Sequence, residues 1–391
     1  MKKFVSIVAA TVLALAGASA ATSLPADTHV TDAGLQNVGE YFGKISWSID
    51  GASEAGHVAG DEIAIQVDKP EGATVRAALF VSGDGGNRNS NSHTPQDMYL
   101  NDQNIVFTHW ASLTAGDQFQ TYFGDVTDIV KDTIDAHPAG VFDLNFDQGD
   151  GTDGDSSEGG SLIVIFDDPN APLSSIYLNA GTSNPEGDSF TFTFPALTAE
   201  NLSNDILLSI GSSNSYEWGW WSQTSEIKAN GDYLSTIAGG CDDSTQYIDG
   251  LECGFGGYNT IGGIGNTAGA PGYVDTEVTS YDVNLDGELY LLNSFLTEGD
   301  TSLEVTTRNY SSNDNLYFAG IYLVGVLPSE TYCDDNPVDC GLPTETAQTG
   351  AQGVPFITLL GGGLLVAGIA IAVYRIVSRR KGKPTDDNTA E

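Results

Sequence analysis

The chain has 391 residues, of which 53 are Asp or Glu and 14 are Lys or Arg, so its formal net charge is −39. A nucleic-acid-binding protein needs clustered basic side chains that neutralise phosphates. So few cations cannot supply such a surface, and the composition therefore excludes nucleic acid as a partner.

The first 20 residues have the layout of a secretory signal peptide. Lys2 and Lys3 precede an apolar run that ends at Leu15, and the small residues Ala18-Ser19-Ala20 follow. This order predicts cleavage after Ala20 and export of the chain. We expect residues 21–37 to form an N-terminal extension of the exported part.

Residues 38–328 consist of short alternating or β-branched runs separated by Gly, Asn, Asp and Pro. This texture predicts an all-β domain, a large antiparallel β-sandwich of jelly-roll type with one or two short helices. The better helix candidate is 126–136, with Asp125 as a cap and Pro138 beyond its end, and the weaker one is 199–204. The predicted strands are 44–49, 62–67, 74–81, 141–146, 161–166, 174–178, 189–194, 206–210, 302–307 and 316–326.

Two acidic runs in this domain have the composition of calcium loops. Calcium takes six to eight hard oxygen ligands from flexible loops, and Asp282-Val-Asn284-Leu-Asp286-Gly287 matches the front half of an EF-hand loop. The glutamate that closes such a loop is absent, because Asn293 occupies its position. Solvated turn acids are the alternative interpretation. The candidate ligands are Asp147, Asp150, Asp153, Asp155, Asp282, Asn284 and Asp286.

Three of the five tryptophans lie in the run Tyr216-Glu-Trp218-Gly-Trp220-Trp221. If this run is a strand, Trp218 and Trp220 share one face and Trp221 lies on the other. Exposed indoles offer flat platforms on which sugar rings or aromatic partners stack. The run is therefore a candidate ligand platform, and burial in the core is the alternative.

All four cysteines lie in the exported part. An even number in an oxidising compartment favours two local disulfides, Cys241 with Cys253 and Cys333 with Cys340. A zinc site is the weaker alternative, because no pair has zinc-knuckle spacing and no histidine is close in sequence.

The C-terminal part predicts a membrane anchor. Residues 329–353 form a polar stalk, and residues 354–374 form an uncharged apolar stretch long enough to cross a bilayer as a helix. Five cations follow in the tail 375–391, which places the tail in the cytoplasm. The order Thr346-Ala-Gln-Thr-Gly350, apolar stretch and basic tail is similar to a sortase sorting signal without its Leu-Pro pair, so wall anchoring is the alternative.

This division of the chain allows the charge of the exported part to be calculated separately. Without the two signal lysines and the five tail cations, the exported part keeps seven basic residues; without the three tail acids it keeps 50 acidic ones. The part outside the cell therefore carries a charge of about −43, which attracts cations and repels similar chains. Adaptation to a salty medium explains the same charge without a dedicated site.

Common catalytic motifs are absent from the sequence. It has no Gly-x-Ser-x-Gly elbow, no His-Glu-x-x-His helix and no phosphate loop. The run 262–265, Gly-Gly-Ile-Gly, predicts a turn rather than a nucleotide loop. An isopeptide cross-link would need a buried lysine that faces Asn or Asp, and the exported lysines are Lys44, Lys69, Lys131 and Lys228.

Several motifs between residues 43 and 326 give the chain a likeness to a known group of proteins. They are 69–76 (KPEGATVR), 125–130 (DVTDIV), 166–170 (FDDPN), Asn230-Gly231, Gly239-Gly240, 299–305 (GDTSLEV) and 312–320 (SNDNLYFAG). With these motifs the chain resembles an uncharacterised family of secreted, surface-anchored bacterial domains. The resemblance implies a β-sandwich displayed at the cell surface, and it implies no activity or catalytic residue.

Two functions of different classes follow. The first is a non-enzymatic cell-surface protein with a single membrane anchor, serving structure, adhesion or ligand capture, with calcium as a stabilising ion. The second is a carbohydrate-binding module or carbohydrate-active enzyme that uses the acidic loops and the tryptophan run.

Overall fold

The computed structural model describes residues 28–30, 34–52, 63–85, 97–112, 119–147, 159–184, 187–213, 225–238, 259–266, 268–269, 288–309 and 315–326. The chain divides into two compact units, 1–343 and 344–391, and every described residue belongs to the first unit. Among these residues no helix is both long and apolar enough to cross a membrane. The predicted signal peptide, stalk, membrane span and tail lie outside the described residues.

The described residues are mostly β, with nineteen strands, one α-helix and one 3-10 turn at Asn201–Ser203. The helix, α1, spans Thr127–Ala136. In chain order the strands are β1 (Thr28–Val30), β2 (Gly34–Ala52), β3 (Ile63–Lys69), β4 (Thr74–Gly85), β5 (Tyr99–Leu100), β6 (Gln103–Asn104), β7 (His109–Ser112), β8 (Phe119–Asp125), β9 (Gly140–Asp147), β10 (Gly160–Asp167), β11 (Leu173–Thr182), β12 (Asp188–Thr193), β13 (Ile206–Ser213), β14 (Ser225–Ala229), β15 (Asp232–Ala238), β16 (Asn259–Ile261), β17 (Leu289–Leu291), β18 (Ser302–Asn309) and β19 (Asn315–Val324).

The strands form one long sheet and two small ones, and every pair is antiparallel except β1 with β7. The long sheet follows the order β1-β7-β8-β4-β10-β2-β11-β19-β13-β16, with β17 also on β13. It divides at β2, so we call β1-β7-β8-β4-β10-β2 the first central sheet and β2-β11-β19-β13-β16 the second central sheet. The first outer sheet is β3-β9-β5-β6, and the second outer sheet is β12-β18-β14-β15.

Strand β2 turns from one central sheet into the other at a glycine. Its first half pairs with β11 as far as Lys44, and its second half pairs with β10 from Ile45 onward. Gly43, at this junction, has a φ of +125°, which side-chain-bearing residues rarely adopt. A single long strand thereby joins the two sheets.

Alternating side chains place apolar clusters on both faces of each central sheet. On β10, Ile163 and Ile165 contact the second central sheet, whereas Val164 and its even-numbered neighbours pack towards the first outer sheet. Leu208 on β13 and Val305 on β18 belong to a third cluster, between the second central and second outer sheets. The packing therefore stacks outer, central, central and outer layers.

Helix α1 covers the same face of the first central sheet as the first outer sheet. Val130 and Ile134 are buried in the cluster shared with that sheet. The Thr127 N–H donates to Asp125 Oδ1 at 2.8 Å, so the predicted cap residue accepts the hydrogen bond although Val126 is the boundary residue. At the other end, Lys69 Nζ donates to the carbonyls of Asp135 and His137, both at 2.8 Å.

Each of the ten predicted strands overlaps a strand of the structure, and the predicted helix is confirmed. The weaker helix candidate is the 3-10 turn. Strand β2 begins at Gly34, four residues before the predicted domain start. The strands not predicted are β1, β5, β6, β7, β8, β14, β15, β16 and β17.

The β14–β15 hairpin had a clear sequence signal that the prediction missed. Asn230 and Gly231 join the two strands with φ values of +51° and +89°. Asn-Gly is the preferred pair for a two-residue turn with both central residues in this region. Alternation in 225–229 and this dipeptide together specify the hairpin.

Candidate functional site

Eight connections between strands start or finish at one end of the molecule. In the first central sheet Ala52, the last residue of β2, pairs with Gly160, the first of β10, and Gly85 at the end of β4 pairs with Phe119 at the start of β8. We call this the loop end. The connections 53–62, 86–98, 113–118 and 148–159 all start or finish there.

The second central sheet shows the same arrangement. Ser213, the last residue of β13, pairs with both Asn259 and Asn315, the first residues of β16 and β19. In the second outer sheet, Ser225 pairs with Ala238 and with Asn309. The connections 183–187, 214–224, 239–258 and 310–314 therefore join strands at this end.

Hydrogen bonds show that these ends of the two central sheets meet. Thr121 Oγ1 on β8 donates to the Gly181 carbonyl on β11 at 2.7 Å. Thr182 Oγ1 donates to the Ala111 carbonyl on β7 at 3.0 Å. The opposite end, which we call the short-turn end, has the described connections 70–73, 126–139, 168–172, 194–205, 230–231 and 292–301.

Beneath the loop end the interior between the central sheets is polar and centred on Tyr317. This side chain is fully buried. Its hydroxyl lies 2.6 Å from Ser161 Oγ and donates to Asn259 Oδ1 at 2.6 Å. The Asn259 amide in turn donates to the Gly160 carbonyl at 3.4 Å. These contacts cross from β19 to β10 and β16 and satisfy groups that would be costly to bury alone.

A second buried polar group lies at the β13 edge of the same sheet. Glu288 is 2% exposed, and its Oε2 accepts a hydrogen bond from Thr260 Oγ1 at 2.8 Å. Beside this pair on β13, the hydroxyls of Ser209, Ser212 and Ser213 are buried without a hydrogen-bond partner among the described residues. Polar side chains are thus concentrated where β13, β16 and β17 meet.

Most of the predicted site residues lie outside the described residues. Of the candidate metal ligands only Asp147 is described, half-buried at the end of β9 on the loop end. The predicted residues not described are Asp150, Asp153, Asp155, Asp282, Asn284, Asp286, Tyr216, Trp218, Trp220, Trp221, Cys241, Cys253, Cys333 and Cys340. Within the described ranges, no group of three or more His, Cys, Asp or Glu side chains is arranged to hold a metal ion.

The chain order nevertheless places the predicted runs relative to the loop end. The first acidic run connects Asp147 on β9 to Gly160 on β10, and the tryptophan run connects Ser213 on β13 to Ser225 on β14. Each of these four strand ends lies at the loop end. The second acidic run precedes Glu288, which contacts Thr260 one residue from the start of β16.

The glycine run 262–265 is a turn, as predicted. The Gly262 N–H donates to the Ile210 carbonyl at 3.0 Å, and the Ile264 N–H donates to the Ile49 carbonyl at 2.8 Å. A Cβ at Gly262 or Gly263 would lie within 2.2 Å of a neighbouring carbonyl oxygen. The glycines therefore permit close backbone approach between β2, β13 and the residues before β17.

The described cations have structural partners. Arg76 donates to both Asp167 and the Phe42 carbonyl, which ties β4 to β10 and to the corner of β2. The four exported lysines contact backbone carbonyls, Asp135 or Glu226. The contact of Lys131 with Asp135 is a partly exposed pair one turn apart on α1, whereas an isopeptide cross-link needs a buried lysine. Positive charge is therefore used to hold elements together, whereas exposed acids such as Asp132 and Asp143 lie on the first outer layer.

Tyr317, Ser161 and Asn259 were not among the residues predicted from the sequence. Their signal was weak but present, because Ser161 continues the alternation of Ile163 and Ile165 and must face inward with them. A polar residue at such a position needs a buried partner. The identity of that partner could not be read from the sequence.

No protein-family model matches the chain, and neither a curated protein nor a solved structure matches it. The resemblance to secreted, surface-anchored bacterial domains therefore stays a prediction.

Proposed function

We propose that this protein is a non-enzymatic cell-surface protein, in which an acidic β-sandwich of jelly-roll type on a single C-terminal anchor presents its loop end to ligands. The observation that carries the proposal is the loop end itself, where the connections that contain the first acidic run and the tryptophan run join strands of the central and outer sheets. Loops on a rigid scaffold are where binding residues are most often found. Structure, adhesion or ligand capture are the roles that this arrangement serves.

The path of the last strand supports the same proposal. Strand β19 starts at the loop end with Asn315 and runs ten residues to Val324, a length of about 33 Å at the usual rise per residue. The chain then leaves the sheets at Val326, which packs in the cluster between the second central and second outer sheets. The residues that follow therefore begin at the end opposite the loop end.

Deleting residues 354–374 tests the anchor. We expect the full chain in the membrane fraction and accessible to an antibody on intact cells, and the deletion variant in the medium. Deleting residues 384–391 is the matched control, because it shortens the tail and keeps the apolar stretch and its basic flank. Retention of the 354–374 deletion in the membrane fraction would contradict the proposed anchor.

Calcium is the proposed ligand of the acidic connections. Its support is the composition of the runs that follow Asp147 and precede Glu288, together with the charge of about −43 outside the cell. An ion that binds only the folded state raises its melting temperature by mass action. We expect a chelator to lower the melting temperature of the exported part by several degrees at matched ionic strength, and equal melting curves would refute a calcium role.

A sugar-binding function is the second candidate, and the position of the tryptophan run favours it. The run lies in the connection between Ser213 and Ser225, both at the loop end. On a glycan array we expect binding that is lost when Trp218 and Trp220 are both replaced by Ala. Tyr233→Ala is the control, since Tyr233 is an exposed aromatic on β15, outside that connection. Absence of wild-type binding to every glycan would count against this candidate.

A further inference from the structure

Tyr317 joins the two central sheets directly beneath the loop end. Its side chain is the largest fully buried one among the described residues, and it crosses from β19 towards the first central sheet. A Cβ at Gly83 on β4 or at Gly211 on β13 would lie 2.9 Å from its ring. The ring therefore fits in a space that two glycines leave open, and its orientation is fixed.

The hydroxyl of Tyr317 contacts two residues that are distant in sequence. Ser161 is 156 residues away and Asn259 is 58 residues away. With the Ser161 hydroxyl as donor, the Tyr317 hydroxyl accepts from it and donates to Asn259 Oδ1. Both groups that flank the hydroxyl are buried, so each hydrogen bond forms where water does not compete.

These two partners begin strands that follow long connections. Ser161 is the second residue of β10, after the connection that contains the first acidic run, and Asn259 is the first residue of β16, after 239–258. Gly83 and Gly211, which flank the ring, lie near the ends of β4 and β13. The Asn259 amide also donates to Ser161 Oγ at 3.4 Å, and the shorter contacts of the Tyr317 hydroxyl complete this link between strand ends of different sheets.

A second tyrosine makes the same kind of contact away from the loop end. Tyr322, five residues further along β19, donates its hydroxyl to the Ile45 carbonyl at 2.8 Å. That carbonyl lies where β2 turns between the sheets, at the short-turn end. The two tyrosines form a matched pair, since each hydroxyl crosses between the central sheets and only one lies beneath the long connections.

We propose that Tyr317 is a positioning residue for the loop end, whose hydroxyl fixes the starts of β10 and β16 relative to each other. The inference rests on the proposed function, in which the loop end meets ligands. Tyr317 itself touches no ligand, and it acts through Ser161 and Asn259. Rigid support of this kind keeps a binding surface in one geometry.

The experiment compares Tyr317→Phe with Tyr322→Phe by hydrogen exchange of backbone amides, without added ligand. Each variant loses one hydroxyl and keeps its ring. We expect amides of 160–163 and 259–262 to exchange about fivefold faster in Tyr317→Phe, which corresponds to the loss of one net hydrogen bond. In Tyr322→Phe these amides should exchange as in the wild type.

Ser161→Ala provides a second variant that leaves the tyrosine ring in place, and it should accelerate the same amides. Unchanged exchange at both strand starts would overturn the proposal. Acceleration spread evenly over both central sheets would also overturn it, because that result describes a general loss of stability. The calcium and glycan tests concern ligands and this test does not, so failure of either one is distinguishable from failure of the positioning role.

Discussion

Buried polar side chains are more numerous near the loop end than near the short turns, where Ser174 and Ser175 are also fully buried. Between the central sheets, Ile45 and Ile165 fill the interior near the short turns, whereas Ser161 and Asn259 take the equivalent inward positions near the loops. Between the second central and second outer sheets, Leu303 gives way along β18 to Thr307 and Asn309. Side chains are fully buried at both ends, but the proportion of polar side chains among them differs.

This difference separates two tasks within one scaffold. Apolar burial stabilises by about 25 cal/mol per Å² and needs no partner. A buried hydroxyl or amide contributes little net stability, but it demands a partner in one geometry. The short-turn end therefore holds the sheets together, and the loop end specifies how the strand ends are arranged.

The largest predicted effect is a loss of folding stability at alkaline pH, caused by buried tyrosines in the short-turn half. Tyr41, Tyr177 and Tyr322 lie in that half, and burial is the main cause that raises the pKa of each. For Tyr41 burial and the charge of Asp125 raise the pKa to about 12. Because the folded state favours the neutral phenol, this stability is complete below the ordinary pKa of about 10 and is lost as the pH rises through the raised value.

Two pKa units correspond to about 3 kcal/mol for Tyr41 alone. We therefore expect the free energy of unfolding in urea to be level between about pH 8 and pH 10 and to fall steeply above that range. Tyr41→Phe should reduce the fall. A decline that begins well below pH 9, or no decline up to about pH 12, would contradict the prediction.

The second prediction compares two positions on one face of β10. Ile165 and Ser161 point the same way, towards the second central sheet, and are 1% and 0% exposed. Ile165→Ala removes buried apolar atoms and leaves a cavity, so it should cost about 2–5 kcal/mol. Ser161→Ala removes the hydrogen bonds of its hydroxyl with Tyr317 and Asn259 and should cost about 1–2 kcal/mol. Equal losses in urea unfolding would show that the two ends are not energetically different.

The third prediction concerns the helix at the short-turn end. Lys69 is 7% exposed, and its amine is the donor to two carbonyls at the end of α1. Lys69→Met keeps the apolar stem and leaves these carbonyls without that donor, so we expect a loss of about 1–3 kcal/mol. Lys44→Met is the control, because Lys44 is exposed and its amine donates to the Pro169 carbonyl. This variant should change stability by under about 0.5 kcal/mol. Matching losses in the two variants would argue against a specific role for Lys69.

The sequence was sufficient to predict the elements that obey simple alternation. The ten predicted strands have β-branched or aromatic residues on at least one regular face, and α1 has a clear stop at Pro138. Strand β8 was missed because Gln120, Thr121 and Gly124 interrupt its apolar residues, although all three are buried. Its burial on both faces depends on layers that are built from other parts of the chain.

The candidate site was less predictable than the fold, for a physical reason. The acidic and tryptophan runs stand out by composition, which is a local property. The contact of Tyr317 with Ser161 joins residues 156 positions apart and depends on sheet register. Likewise, the meeting of eight connections at one end follows from strand order, which no single segment contains.

The smallest effect is expected at the hairpin turn of the second outer sheet, at the short-turn end. Gly231 has a φ of +89°, and a Cβ there would meet no atom within 4 Å. Gly231→Ala should therefore destabilise the fold by about 1 kcal/mol, because Ala adopts a positive φ less readily than Gly, and it should cause no steric clash. The measurement is urea unfolding, with Ser302→Ala as the control at an exposed position on β18, expected within about 0.5 kcal/mol of the wild type. A loss of several kcal/mol for Gly231→Ala would mean that the turn supports more of the second outer sheet than its backbone geometry indicates.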